Sequence, residues 1–261
     1  MKKIIIAIAA LMGLFSVTSC SDMLDTDSSR QIFDGNLDQK TDSVFFAFGI
    51  MQAMQGLADH YVFQGEMRGD NVALTYYTDN DLRQLYNFSA TAANQYDSAY
   101  VYYRVINNCN YYIAHRDTTL LTGSTKVVMP EYAAVKAFRA WAYLQLARNY
   151  GKVPFFTEPL TKISQINSNN FPELDLQGIV DRLAPDLEQY SGYAVPDYGV
   201  TAYNIGSTNS GTAKTINPSR CFIPVDVILG EMYLETGQYD KAASHYTTYL
   251  TSVSKSREGS S

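Results

Sequence analysis

The stretch VDVILGEMYLETGQYDKAASHYTTYL, residues 225–250, restricts the fold more than any other part of the chain. Leu229, Gly230 and Tyr233 form L-G-x-x-Y and share one face of a helix, because three- and four-residue steps return to the same stripe. Gly237 and Tyr239 mark a turn, and Ala242 and Tyr246 face back from a second helix. A small residue opposite an aromatic ring lets two antiparallel helices approach closely while the ring fills the gap. One such hairpin cannot bury its own apolar face, so it needs neighbouring helices.

Those helices are legible upstream. In EYAAVKAFRAWAYLQLARNYGKVPFF, residues 131–156, Ala134, Ala137, Trp141, Leu144 and Arg148 fall at helical steps, flanked by Phe138, Ala142 and Leu146. That spacing predicts an amphipathic helix with a broad apolar face. Pro130 and Glu131 suit its first turn, Arg148 its last, and Gly151 and Pro154 its end. A second helix is predicted from about Asn94 to His115, with Tyr96, Tyr100, Tyr103, Ile106, Asn110 and Ile113 in register. A third starts near Thr41 or Asp42 as cap and carries Phe45, Phe48, Ile50, Met51 and Met54. Residues 174–190 are helical in pattern, with Pro185 expected to kink the helix or open a new one. Without an alternating strand series, the fold class is all-α, with long irregular connections, notably residues 192–218. The 225–250 spacing resembles a tetratricopeptide repeat, in a unit of about 223–256, but Asp226, Tyr249 and Ser254 stand where that repeat favours Trp, Ala and Pro. Ala140 and Tyr143 echo Gly230 and Tyr233, which marks the 131–150 helix as the neighbour, and much of the tyrosine excess (21 residues) is then packing.

The amino terminus is of another kind. Lys2 and Lys3 precede an apolar run from Ile4 to Phe15, then short residues from Ser16 to Ser19, then Cys20. This is the layout of an export signal over residues 1–19, and its apolar run is shorter than the roughly 20 residues that span a bilayer. The stretch resembles a bacterial lipobox, which implies that Cys20 is the first mature residue and carries lipid; the other reading is an ordinary signal whose first mature residue is Cys20. Asp22, Asp25, Asp27, Asp34 and Asp38 make residues 20–41 an acidic tether that cannot bury enough surface to order itself. The acids directly after Cys20 loosely resemble a surface-export signal of lipoproteins.

Several function classes fall away. The formal charge is −6, and removing residues 1–19, which hold two lysines and no acid, makes it −8. An acidic chain without a Lys/Arg block has no electrostatic footprint for nucleic acid. His60, His115 and His245 lack metal-ligand spacing, and no G-x-S-x-G elbow or phosphate-cradling glycine loop occurs. Asp59, His60 and Glu66 could be drawn as an acid/base group, but nothing in the spacing supports it. No enzyme, cofactor or metal is expected. Cys109 and Cys221 could pair in an oxidising envelope, or be small core residues on helices. Arg68-Gly69-Asp70 matches an adhesion tripeptide, a short motif of little weight.

Three further segments complete a pattern. GEMRGDNV (65–72), YRVINNCNYYIAHRD (103–117) and FRAWAYLQLARNYGKVPFF (138–156), with the lipobox before them and the repeat unit after, resemble the SusD/RagB family of outer-membrane nutrient-binding lipoproteins. The 138–156 segment is the most specific, through Arg139-Ala140, Tyr143, Leu146, Tyr150-Gly151 and Val153-Pro154 in order. The resemblance makes residues 42–261 a SusD-like helical domain, the amino-terminal part of a longer arrangement or a shortened member. It implies a cell-surface, lipid-anchored protein of the outer membrane that captures oligosaccharides or peptides and delivers them to a TonB-dependent (SusC-like) barrel. Ligand residues are not carried by a family-wide motif. Tyr76, Tyr77 and Tyr86, among Thr75, Thr78, Asp79 and Asn80, form an aromatic-polar loop that is either the ligand contact or packing on neighbouring helices. The alternative function is a lipid-anchored repeat scaffold that binds proteins and holds no small ligand.

Overall fold

The structure is a computed structural model that describes residues 43–122, 125–126, 128–168, 171–196, 201–203, 214–216 and 218–258. The export signal, Cys20 and the 20–41 tether lie outside the described residues. Eight α-helices follow in order among the described residues: α1 (Ser43–Glu66), α2 (Asn80–Tyr86), α3 (Tyr100–His115), α4 (Met129–Tyr150), α5 (Ile163–Ser168), α6 (Leu176–Leu187), α7 (Val225–Glu235) and α8 (Tyr239–Glu258). The expected all-α class holds. Strands are confined to three small antiparallel pairs: β1 (Leu121–Thr122) with β2 (Thr125–Lys126), β3 (Val153–Pro154) with β4 (Glu173–Leu174), and β5 (Thr201–Tyr203) with β6 (Lys214–Ile216).

Helix α4 is the axis of the molecule. It packs against α1, α3, α6 and α7. Val135, Ala137, Phe138, Ala140, Ala142, Tyr143, Leu144 and Leu146 are buried along it. Its alanines let four neighbours come close, and each fully buried large apolar side chain is worth roughly 1.5–3 kcal/mol. The amphipathic helix expected here is instead enclosed nearly all round, so its polar residues need partners inside. Lys136 Nζ donates to both carboxylate oxygens of Asp186 (2.7 and 2.8 Å). Arg139 donates to Asn110 Oδ1 (3.1 Å) and lies 3.6 Å from Asp186, while Glu131 accepts from Tyr112 and pairs with Arg116.

The residues after α4 explain its family-like motif. Gly151, at φ 78°, donates its N–H to Ala147 O (2.8 Å) and turns the chain back, a conformation that suits glycine. The irregular segment that follows is satisfied by side chains. Tyr103 Oη donates to Pro154 O (2.8 Å), and Tyr143 Oη donates to Phe156 O (2.6 Å) while accepting from Phe156 N (3.0 Å). Asn107 grips Leu160 through both its N–H and C=O (2.7 and 2.9 Å), and Asn110 Nδ2 reaches Phe156 O and Glu158 O (3.3 and 3.4 Å). Buried backbone groups outside a ladder must find such partners.

Several local expectations are corrected. The helix predicted from about Asn94 starts only at Tyr100. Asn94 Oδ1 accepts from Tyr96 N and Asp97 N (3.0 and 3.2 Å), so the side chain competes with helix formation there. Pro185 does not open a new helix; α6 runs through it from its Asp175 cap, and the chain then tightens into a 3₁₀ turn at Glu188–Tyr190. In the 65–72 segment only Gly65 and Glu66 are helical. Cys109 is buried and Cys221 exposed, so only the first is a core residue, and the two are not bonded to each other.

The repeat hairpin is present as α7 and α8. A Cβ at Gly230 would stand 2.5 Å from Tyr246 Cε1, which is the close approach the motif demands. The departure at Asp226 has a physical reason. Its buried carboxylate accepts from Ser191 Oγ (2.7 Å), Gly192 N (2.8 Å) and His245 Nδ1 (2.8 Å). On the other side of the same ring, His245 Nε2 lies 3.2 Å from Glu188 Oε1, which also accepts from Tyr233 Oη (2.6 Å). Asp226 thus ties the hairpin to the end of α6, a task that the favoured tryptophan could not perform.

Several tyrosine hydroxyls are bonded inside the fold. Tyr102 donates to Gln64 Oε1 (2.8 Å), and Gln64 Nε2 donates to Tyr150 Oη (2.8 Å). Burial pushes the Tyr102 phenol up to about 12 and raises Tyr103, Tyr112, Tyr143 and Tyr150 further.

Two measurements follow from this packing. Gly230→Ala would stabilise an exposed helix by up to about 1 kcal/mol. Here the methyl meets the Tyr246 ring, and a loss of about 1–3 kcal/mol is expected, read as a lower melting temperature by circular dichroism. The buried phenols keep their protons in the folded chain while unfolded tyrosine ionises near pH 10. Their contribution to stability is therefore intact below about pH 10 and is lost as pH rises toward 12. Urea unfolding midpoints should fall between pH 9 and pH 11.

Candidate functional site

The turn between α1 and α2 is built from its own side chains. Thr78 N donates to Thr75 O (3.2 Å), and Thr75 N donates to Thr78 Oγ1 (2.8 Å), which closes a four-residue turn over Tyr76 and Tyr77. Asp79 then caps α2, its Oδ1 accepting from Leu82 N (2.9 Å). Arg83, one turn into the helix, reaches back over the turn. Its Nε donates to Thr78 O (2.9 Å) and its Nη2 to Thr75 O (2.6 Å) and Tyr76 O (3.0 Å). One guanidinium thus takes three backbone carbonyls, a use of its fixed fork of donors. Leu85 is fully buried and anchors α2, and Asn94 Nδ2 holds it from the side through Asp81 O (2.9 Å) and Gln84 Oε1 (3.1 Å).

This framework turns two rings outward. Tyr76 is 90% exposed and Tyr77 91%, and the rings meet edge to face with centroids 5.3 Å apart at 87°. Of the two readings of these tyrosines, packing on neighbouring helices does not describe their surroundings. Tyr86 stands apart: it closes the last turn of α2, is half-buried, and makes no ring contact with Tyr76 or Tyr77 among the described residues. An exposed aromatic that spacing did not single out is Phe88, just beyond α2 and 75% exposed. A fixed pair of flat apolar faces beside threonine hydroxyls and aspartates can stack on a ring and hydrogen-bond its rim.

Other places are less suited. A cleft of about 660 Å³ between α1 and α3 is lined by Gln52, Gln55, Gly56, Arg104 and Asn108, with no aromatic side chain. A second, of about 420 Å³, has Arg139, Phe155, Glu158, Arg182 and Asp186 around it, two cations against two carboxylates. Asp59, His60 and Glu66 do not converge: His60 Nδ1–H donates to Tyr96 O (3.0 Å), and both acids are exposed. Arg68 of the Arg-Gly-Asp tripeptide is paired with Asp97 (3.5 Å). Among the described residues no His, Cys, Asp or Glu group is placed to hold a metal ion, and no helix is long and apolar enough to cross a membrane.

No protein-family model matches the sequence, and no curated protein matches it. Solved structures do. A "Laminarin binding SusD-like protein" superposes with a TM-score of 0.57 at 19% identity, covering 80% of this chain and 43% of that one. A SusD superfamily protein from Bacteroides thetaiotaomicron VPI-5482 gives 0.55 at 16% identity, covering 80% and 45%. At these identities the likeness is one of fold: the chain has the SusD-like helical fold and spans less than half the length of either structure.

Proposed function

We propose that this chain, with its SusD-like fold, is a binding protein that captures nutrient oligomers, oligosaccharides before peptides, on the Tyr76–Tyr77 turn. The observation that carries the reading is the Arg83 clamp, which fixes the backbone of the turn that presents two nearly fully exposed rings. A turn that is already ordered loses little backbone freedom on binding. Sugar rings offer apolar C–H faces to such side chains and hydroxyls to polar neighbours such as Thr75 and Asp79. The neighbour described as laminarin-binding supports a glycan over a peptide.

In this reading the protein sits at the cell surface, on the outer membrane, held by lipid on Cys20, and delivers its ligand to a TonB-dependent, SusC-like barrel. Lasting attachment needs more than one acyl chain, at about 0.8 kcal/mol per buried methylene, which a lipoprotein cysteine with two or three chains satisfies. In this reading the protein binds its ligand and does not turn it over.

Binding is measured by calorimetry against laminarin, starch, xylan, mannan and a casein peptide digest. Saturable binding to a polysaccharide is expected, weakened about tenfold by either Tyr76→Ala or Tyr77→Ala, the worth of one aromatic contact. Affinity that survives both changes removes the turn as the site; no binding to any of the five removes capture and leaves the protein-binding scaffold. Attachment is read by fractionating cells. The wild type should extract with detergent together with a barrel protein, and Cys20→Ala should move to the soluble fraction; a variant that stays in the membrane overturns the anchor.

A further inference from the structure

Helix α2 ends in a closed cap with an unusual occupant. Phe88 N donates to Leu85 O (3.1 Å) and Ser89 N to Gln84 O (2.8 Å), the two bonds that take up the last helical carbonyls and force the residue beyond the cap into left-handed backbone. Here that residue is Phe88, at φ 54°. The same pair of bonds closes α7, where Gly237 N donates to Leu234 O (3.1 Å) and Gln238 N to Tyr233 O (2.8 Å), and there the left-handed residue is glycine at φ 73°. The fold therefore holds its own low-strain solution, and position 88 does not use it. Among the described residues Phe88 is the one non-glycine with positive φ, and for a bulky side chain that region is a strained outlier.

The ring does not recover the strain by packing. It is 75% exposed and touches no other aromatic ring among the described residues. The strained backbone disfavours the folded state, the exposed ring gains little burial to offset it, and strain of this kind gathers where a ligand is held. Its position is also informative. Phe88 follows the carboxyl end of α2, and the Tyr76–Tyr77 turn precedes the amino end; Arg83 and Asn94 fix that helix to the turn and to the chain behind it. Seven helical residues rise roughly 10 Å, longer than a single sugar ring.

We propose that Phe88 is a second stacking contact for the glycan held at Tyr76 and Tyr77, so that the site reads an oligosaccharide several sugars long along α2. The inference rests on the glycan reading of the tyrosine turn. It adds a chain-length requirement: a disaccharide engages the turn alone, and a longer chain gains the Phe88 contact as well.

The test uses the full chain and two variants, Phe88→Gly and Phe88→Tyr. Each is melted, then titrated with the short and long oligosaccharides of whichever polysaccharide it binds, laminaribiose and laminarihexaose for laminarin. Phe88→Gly should melt about 2 °C higher, since glycine relieves the strain. It should bind the hexaose roughly three- to tenfold more weakly and the disaccharide unchanged. Phe88→Tyr should bind like the wild type. A lower melting temperature for Phe88→Gly would mean that the ring supports the fold, and the proposal fails. Unchanged hexaose affinity in Phe88→Gly, alongside loss in Tyr76→Ala, overturns the Phe88 contact and leaves the turn in place. A wild type that binds no polysaccharide overturns both.

Discussion

A buried cation, Arg139, links three of the helices through polar contacts. It lies at the centre of α4 and reaches Asn110 on α3 and Asp186 on α6. A charge cannot be taken out of water without partners, so the helices that supply them are fixed around it. Asn110 in turn passes its amide to Phe156 O and Glu158 O, which hold the segment after α4 against α3. Removing either helix from this arrangement would strand the guanidinium.

The tyrosines divide by where their hydroxyls can go. Tyr102, Tyr112, Tyr143 and Tyr233 bury their rings and still donate, to Gln64, Glu131, Phe156 O and Glu188 respectively. An amphipathic ring fills the space between helices that a leucine would fill, and it adds a directed bond that a leucine lacks. Tyr76 and Tyr77 have the same chemistry but sit on a turn whose backbone is already satisfied by Arg83 and the two threonines. Among the described residues nothing draws those two rings inward, and they face solvent.

Part of the candidate site was visible in the order of residues. Thr75, Tyr76, Tyr77, Thr78 and Asp79 read as an aromatic-polar loop; the structure makes it a turn and adds the Asp79 helix cap. Tyr86 was grouped with that turn only because it is close in sequence; the seven residues of α2 carry it to the far end, half-buried. Arg83 gave no signal, since an arginine on a short helix reads as a solvated charge until three carbonyls are seen to converge on it. Phe88 gave even less, because backbone sign is a property of the closed cap and not of the residue type.

By itself the sequence determined the helical class, the helix ending at Gly151, and the hairpin in which Gly230 meets Tyr246. Each of these is set by local spacing and by the presence or absence of a side chain, and so survives in one dimension. The start of α3 at Tyr100, the buried role of Asp226 and the placing of Arg139 were decided by tertiary structure. The first turns on Asn94, whose Oδ1 takes the N–H groups of Tyr96 and Asp97 while its Nδ2 is held by Asp81 and Gln84. The other two turn on a polar group finding a partner far along the chain: Asp226 with Ser191, Arg139 with Asn110 and Asp186. Apolar periodicity records which face is buried, but the partner of a buried polar group exists only once the helices have met.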